Sequence, residues 1–298
     1  MALLVESTET ADWLSLCHAG LSAAGASHLG APTFVCVGDA IEIDPAQGFL
    51  RGHGTHVDPN GALRASVCGV LQRINKLVVV RPLKSRYIAE TGDVVVGRVT
   101  SIAGRRWKVD LHTRQRAELS LAAVILPGGI QRRRTAEDEL NMRGVFKEGD
   151  LISAEVQAVR GDGSVNLHTR SARYGLLGEG QALRVVPNLI RRQRAHSHEL
   201  GELGVSLILG CNGMVWVAPV GGGEGEDEAA RRRGNACRVA NAVRALGRLC
   251  LPIFLGTVMG VVGISVEGGV AVREMGGQAF LERVVEWEAG RRKEMDVD

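Results

Sequence analysis

The sequence predicts a multidomain chain, mainly β with an α+β C-terminal part, and three observations carry that prediction. Its 298 residues allow two or three domains at roughly 100 to 200 residues each. Residues 33–167 break into two series of short apolar or alternating runs separated by turn residues, and 39 Gly with 4% aromatics fit many turns and short elements. Beyond residue 176, apolar strands are instead mixed with runs of helical period.

Taken in order, residues 1–31 form an N-terminal extension with one short amphipathic pattern from Thr10 to Leu21. Residues 32–88 read as a small β domain. Runs at 34–37, 40–43, 49–52, 63–71 and 77–80 alternate there with Gly38-Asp39, Asp44-Pro45 and Asp58-Pro59-Asn60-Gly61. Residues 89–175 hold five strand patterns, at 94–102, 106–111, 117–121, 151–159 and 164–167, with an insertion at 122–150. Five strands closed on themselves fit the OB-fold barrel, whose sheet face and loops bind oligonucleotides. Residues 176–298 supply strands at 182–186, 205–209 and 214–218, helical patterns at 188–198, 234–249 and 278–292, an apolar run at 251–266 expected as buried strand, and an acidic, Gly-rich link at 221–228. That size and element mix are those of a KH-type α+β domain.

Composition sets limits. Hydrophobic residues at 45% and a mean hydropathy of +0.04 describe a globular chain. The run at 251–266 is interrupted by Pro252, Gly256, Gly260 and Gly263 and falls short of the roughly 20 apolar residues of a membrane span, so no membrane is expected. Residues 1–50 contain no Lys or Arg, which argues against a secretory or transit signal. The cysteines at 17, 36, 68, 211, 237 and 250 include no CxxC pair and read as reduced thiols.

The net charge of +3 is a cancellation. Residues 1–50 carry six acids and no base, residues 81–134 twelve bases against four acids, and residues 160–194 seven bases against two acids. Such clustering is the electrostatic footprint of a polyanion partner. A single run such as Arg132 to Arg134 has a second reading, a solvated surface bridging to Glu137, Asp138 and Glu139.

The candidate contacts to nucleic acid follow from this clustering. Arg105, Arg106 and Lys108 surround Trp107 just after Gly104, offering cations to phosphates. Trp107 is either a stacking platform for bases or a core side chain. Val109 and Leu111 on its side of the strand favour the core. Leu111-His112-Thr113-Arg114 and Leu167-His168-Thr169-Arg170 repeat at two strand ends, which reads either as two His-Thr-Arg sets on one rim or as a coincidence of similar strand-end chemistry, with Arg116 and Arg173 extending the basic neighbourhood.

Gly210-Cys211-Asn212-Gly213 matches the GXXG pattern but lies between two apolar strands, so it reads as a hairpin turn. Residues 189–194, at the helix-to-helix position where a KH clamp belongs, contain no glycine. A lost clamp and a largely packing role are therefore expected, with Arg191, Arg192 and Arg194 still able to attract phosphate. Neither Gly52-His53-Gly54-Thr55-His56 nor His196-Ser197-His198 has recognisable metal-ligand spacing, and Gly52 and Gly54 suit a tight, closely packed turn. Glu137-Asp138-Glu139 suits a helix start better than a two-metal nuclease site. No catalytic residue, metal or cofactor is expected.

Nine blocks, among them Gly52-His53-Gly54-Thr55, Arg73-Ile74-Asn75-Lys76-Leu77, Arg106-Trp107-Lys108-Val109, Leu126-Pro127-Gly128-Gly129, Glu148-Gly149-Asp150-Leu151-Ile152 and Leu167-His168-Thr169-Arg170-Ser171, run in one order from about Thr33 to Ala218. They resemble the cap-subunit family of the RNA exosome known as ribosomal RNA-processing protein four, in its eukaryotic form. The resemblance implies an N-terminal β domain, an S1-type OB fold and a KH domain. It also implies a non-catalytic subunit that sits with other cap subunits on a ring related to RNase PH and guides single-stranded RNA into the central channel. Ribosomal RNA processing, and a place in nucleus, nucleolus and cytoplasm, come with it. Two alternatives from other classes stay open: a hydrolytic 3'-5' exoribonuclease in its own right, and a purely structural ring clamp.

Overall fold

The computed structural model describes residues 34–42, 48–82, 86–125, 135–221 and 225–295. The expectations for residues 10–21 and for Arg132 to Arg134 lie outside the described residues. The chain divides into two compact units, one mainly of residues 18–85 and one mainly of residues 86–288.

In the first unit, short strands β1 (Phe34–Val35), β2 (Leu50–Arg51), β3 (Thr55–Val57), β4 (Leu63–Ala65), β5 (Gly69–Ile74) and β6 (Leu77–Pro82) form a sheet of order β1-β5-β6-β2 and a β3-β4 hairpin. Val35, Ile41, Leu63, Ala65, Val78 and Val80 are its core. The expected tight turn at Gly52 and Gly54 is present. A Cβ on Gly52 would lie 2.5 Å from Val79 Cγ2, and Gly54 has φ of +75° with Val80 O 2.6 Å from where a Cβ would be.

The second unit begins with the barrel: β7 (Val94–Ala103), β8 (Arg106–Asp110), β9 (Ala117–Val124), β10 (Leu151–Val159) and β11 (Val165–Thr169). Their order is β11-β9-β8-β7-β10, and pairing of β10 with β11 closes the sheet. The strands alternate as the sequence predicts. β8 reads exposed, buried, exposed, buried along Arg106 to Val109, and Trp107, Val109, Leu119, Ile152 and Leu167 fill the interior. The insertion carries two short helices, α1 (Ala136–Leu140) and α2 (Met142–Val145), and Met142 and Phe146 plug the barrel core. Glu137, Asp138 and Glu139 stand in the first turn of α1, where Asp138 accepts the Thr135 N–H at 2.9 Å.

From β11 the chain passes through β12 (Gly175–Leu176), antiparallel to β10, into the α+β part. There β13 (Gln181–Arg184), β14 (Ser197–Leu200), β15 (Val205–Leu209) and β16 (Met214–Pro219) form an antiparallel sheet of order β13-β16-β15-β14. Helices α3 (Glu226–Arg248), α4 (Leu255–Glu267) and α5 (Gln278–Met295) complete it, with α3 packed on the sheet and α4 on α3. A separate cluster of Val96, Ile208 and Trp216 joins this sheet to the barrel.

Three sequence expectations are corrected here. Residues 251–266 do not form a strand: α4 occupies Leu255–Glu267 and buries Val258, Val261, Val262 and Ser265, an i, i+3, i+4, i+7 face. Gly260 makes room for Trp287 of the last helix, since a Cβ there would lie 2.1 Å from Trp287 Cζ2. Residues 188–198 do not form a helix: a single 3-10 turn, Pro187–Leu189, gives way to a bridge between Ile190 and Ile253 and then to β14. The acidic residues Glu226, Asp227 and Glu228 belong to the first turn of α3, where they complement the helix dipole, so that α3 starts eight residues before the expected position.

Candidate nucleic-acid interface

The β7–β8 hairpin closes through Gly104 and Arg105, both at positive φ (56° and 64°), which is the two-residue turn that matches strand twist. It sets the next three side chains alternately. Trp107 is fully buried, its ring edge-on to Phe146 at 5.4 Å, and its Nε1–H donates to Phe146 O at 3.1 Å. Trp107 is therefore corrected from the RNA-contact set: no face of the indole meets solvent. Arg106 and Lys108 point outward on either side of it.

The outward face of β8, β9, β11 and β10 holds a hollow of about 190 Å³ lined by Arg106, Glu118, Ser120, Gln157, Arg160 and Asn166. Gln157 occupies a bulge in β10, between Val156 and Ala158 in the pairing with β11, which re-aims its side chain. Two guanidiniums converge on one oxygen there. Arg106 Nη1 is 2.6 Å and Arg160 Nη1 3.6 Å from Glu118 Oε2. Lys108 stands directly across from Glu118 in the β8–β9 register. Arg105, on the turn, pairs with Glu139 of α1 at 2.7 Å.

The two His-Thr-Arg sets do not share a rim. Because β9 and β11 run parallel, with Val165 opposite Ala117, the loop carrying His112, Arg114 and Arg116 lies at the start of β11, while His168 and Arg170 lie at its end. Arg114, Arg116, Arg170 and Arg173 are all exposed, but the first pair and the second occupy opposite ends of the barrel. Sequence periodicity places residues on strands and leaves the relative direction of two strands open.

An aromatic that sequence reasoning missed lies next to the second pair. Tyr174 packs against His168 with centroids 6.4 Å apart, and half-burial with a hydrogen bond to Glu155 pushes its phenol up to about 12. Its position one residue after Arg173 was the available signal.

In the α+β part the Gly210–Gly213 segment is the β15–β16 hairpin turn, with Gly213 at φ of +83°. Asn212 and Cys211 in it are buried against the barrel. Asn212 Nδ2 donates to Val96 O at 2.8 Å and to Leu111 O at 3.3 Å, and the Cys211 N–H donates to Val94 O at 2.8 Å. Arg192 reaches the same junction, where it binds Glu90 and lies 3.2 Å from the buried Asp93, which also accepts from Tyr87 Oη at 2.7 Å. The Arg192 hydrogen bond holds the Glu90 carboxyl below the usual carboxylate range. Burial pushes the Tyr87 phenol up, and the Asp93 carboxylate adds to it. Arg191 lies over the Phe254 ring at 5.8 Å, so of the three arginines expected to attract phosphate only Arg194 is exposed without such a commitment to Phe254 or Asp93.

His196 takes a structural role. It is buried, its Nε2 accepting from the Gln193 N–H at 3.2 Å while Nδ1 lies 2.8 Å from Leu209 O. His198 is lowered by burial and by His196. Among the described residues no three His, Cys, Asp or Glu side chains group as metal ligands would.

Comparison with known proteins gives matches across most of the chain. Residues 86–158 match the family described as RRP4, S1 domain, and residues 180–220 match the KH domain family. An "Exosome complex component RRP4 homolog" of Arabidopsis thaliana is 41% identical over 281 residues, 87% of each chain. "Exosome complex component RRP4" of Bos taurus is 54% identical over 185 residues, 62% of each chain. The protein of that name from Saccharomyces cerevisiae is 46% identical over 183 residues, 61% of this chain and 50% of the yeast protein.

Proposed function

The chain belongs to the exosome complex component RRP4 family, and on that premise we propose that it is an RNA-binding cap subunit that guides single-stranded RNA to the central channel of an exosome without cleaving it. The RNA would be degraded or processed 3'-5', rRNA included, by other members of the assembly. The proposed partners are ring subunits related to RNase PH and the other cap subunits, and the proposed locations are nucleus, nucleolus and cytoplasm.

One observation carries the reading. The outward face of β8, β9, β11 and β10 gathers Arg106, Lys108 and Arg160, with Ser120, Gln157 and Asn166 between them, over a tryptophan that stiffens the strand from inside. Exposed cations with neutral donors and acceptors among them suit a backbone of phosphates whose bases are free to be met. Against the nuclease alternative, two of the three clustered carboxylates have other partners: Asp138 caps α1 and Glu139 pairs with Arg105.

The test uses the full chain with labelled single-stranded RNA and a denaturing gel. Binding that weakens steeply with salt, and RNA that keeps its length in Mg²⁺, support the proposal. Shortening of RNA that is lost in Glu137→Gln or Asp138→Asn would overturn the non-catalytic part. In the assembled complex, replacing Arg105, Arg106 and Lys108 should lower RNA crosslinking while the subunit stays bound. Release of the subunit with crosslinking otherwise unchanged would favour the clamp.

A further inference from the structure

We propose that Glu118 is an internal stand-in for phosphate, occupying the site on the barrel face that a phosphate of single-stranded RNA takes when it binds. The inference rests on the RNA-binding reading and names the group recognised in that hollow. Arg106 comes from β8 and Arg160 directly follows β10, and they meet on the same oxygen of Glu118 at 2.6 and 3.6 Å. Guanidiniums converging on one anionic oxygen suit a phosphate oxygen as well as a carboxylate. About 190 Å³ remains open beside them, lined by the hydroxyl of Ser120 and the amides of Gln157 and Asn166. Glu118 and the two arginines are partly solvent-exposed, so the carboxylate can be exchanged without unfolding the barrel.

The carboxylate also has somewhere to go. Lys108 faces Glu118 across the β8–β9 ladder, and cross-strand neighbours of opposite charge attract. As phosphate enters between the arginines, Glu118 turns from them to Lys108. The face thus keeps part of its arginine charge neutralised until a polyanion arrives, which lowers affinity for stray anions and costs affinity for RNA.

The test compares the full chain with Glu118→Gln and with Glu148→Gln in binding a labelled mixed-sequence single-stranded RNA across a salt series. Glu148 provides the control: it also pairs with an arginine, Arg143 at 3.1 Å, and its replacement makes the same change in net charge away from the hollow. Glu118→Gln should bind roughly fivefold tighter at low salt, with a dependence of log K on log salt steeper by about 0.7 per phosphate gained. Glu148→Gln should match the parent, and adding Arg160→Gln to Glu118→Gln should abolish the gain. Equal tightening by both glutamine variants, or none by Glu118→Gln with the fold intact by circular dichroism, overturns the proposal and leaves the RNA reading standing. Failure of the parent and of every variant to bind RNA at low salt overturns both.

Discussion

Asn212 and Val96 form a closed pair of hydrogen bonds: the carboxamide donates to Val96 O at 2.8 Å and accepts from Val96 N at 3.3 Å. Val96 lies on the part of β7 that β8 does not cover, since the β7–β8 ladder begins at Arg98. The side chain thus pairs with a buried strand edge that β8 leaves uncovered, as a neighbouring strand would, from inside a hairpin of the α+β sheet. It explains why a GXXG-like sequence is buried at a junction instead of facing RNA.

Asn212→Ala should cost about 2–4 kcal/mol in urea denaturation, at roughly 1–3 kcal/mol for each buried backbone group left without a partner. The barrel and the α+β part should then lose their common transition. A change under about 0.5 kcal/mol would mean that water or another side chain serves Val96 equally well.

Trp107→Ala should cost about 3–5 kcal/mol, as expected for a large side chain removed from a packed interior. Trp107→Phe, which loses the bond to Phe146 O, should cost less and leave the RNA affinity of the folded protein within about twofold, since the ring takes no part in binding. A larger loss of affinity in a fully folded Trp107→Phe would restore the stacking role.

Tyr174 is placed to supply the base platform that Trp107 does not. Tyr174→Leu should weaken RNA binding by about tenfold, within the range of roughly 1–3 kcal/mol for one stacked base, and Tyr174→Phe should keep most of it. Anisotropy with the same RNA reads both variants, and equal losses would assign the effect to the Glu155 hydrogen bond.

Burial pushes the Cys211 thiol up to about 11, above the roughly 8.5 of an unfolded cysteine. The unfolded chain therefore ionises first. Stability linked to this group is fully present below about pH 8.5 and is lost as pH rises from there towards 11. Denaturation at pH 8 and pH 10.5 should show Cys211→Ala losing less stability over that interval than the parent. In alkylation at pH 8, Cys211 should stay unmodified while the exposed Cys36 and Cys68 react. Rapid native-state alkylation of Cys211 would show that the junction opens.

The barrel was legible because its strands alternate cleanly and its turns carry glycine: Arg106 to Val109 point as their period requires. The face they create was half legible. Arg106 and Lys108 could be read from β8 alone and Glu118 stands across from Lys108 on the next strand, whereas Arg160 joins them only through the β9–β11–β10 closure, which no local pattern encodes. The opposite placement of Arg114 and Arg170 has the same cause. Residues 251–266 were misread because Gly260, which looks like strand punctuation, makes room for Trp287 against α4. Asn212 was recognisable as a turn residue, but its partner Val96 is 116 residues away.

Photo-crosslinking of single-stranded RNA to the chain in its assembled complex, followed by peptide mapping, tests the central claim most directly. Crosslinks should concentrate in peptides carrying Arg105 to Ser120 and Glu155 to Tyr174, and should fall when Arg106, Lys108 and Arg160 are replaced together. Crosslinks confined to residues 190–220, with the barrel face unmarked and those three replacements without effect, would contradict it.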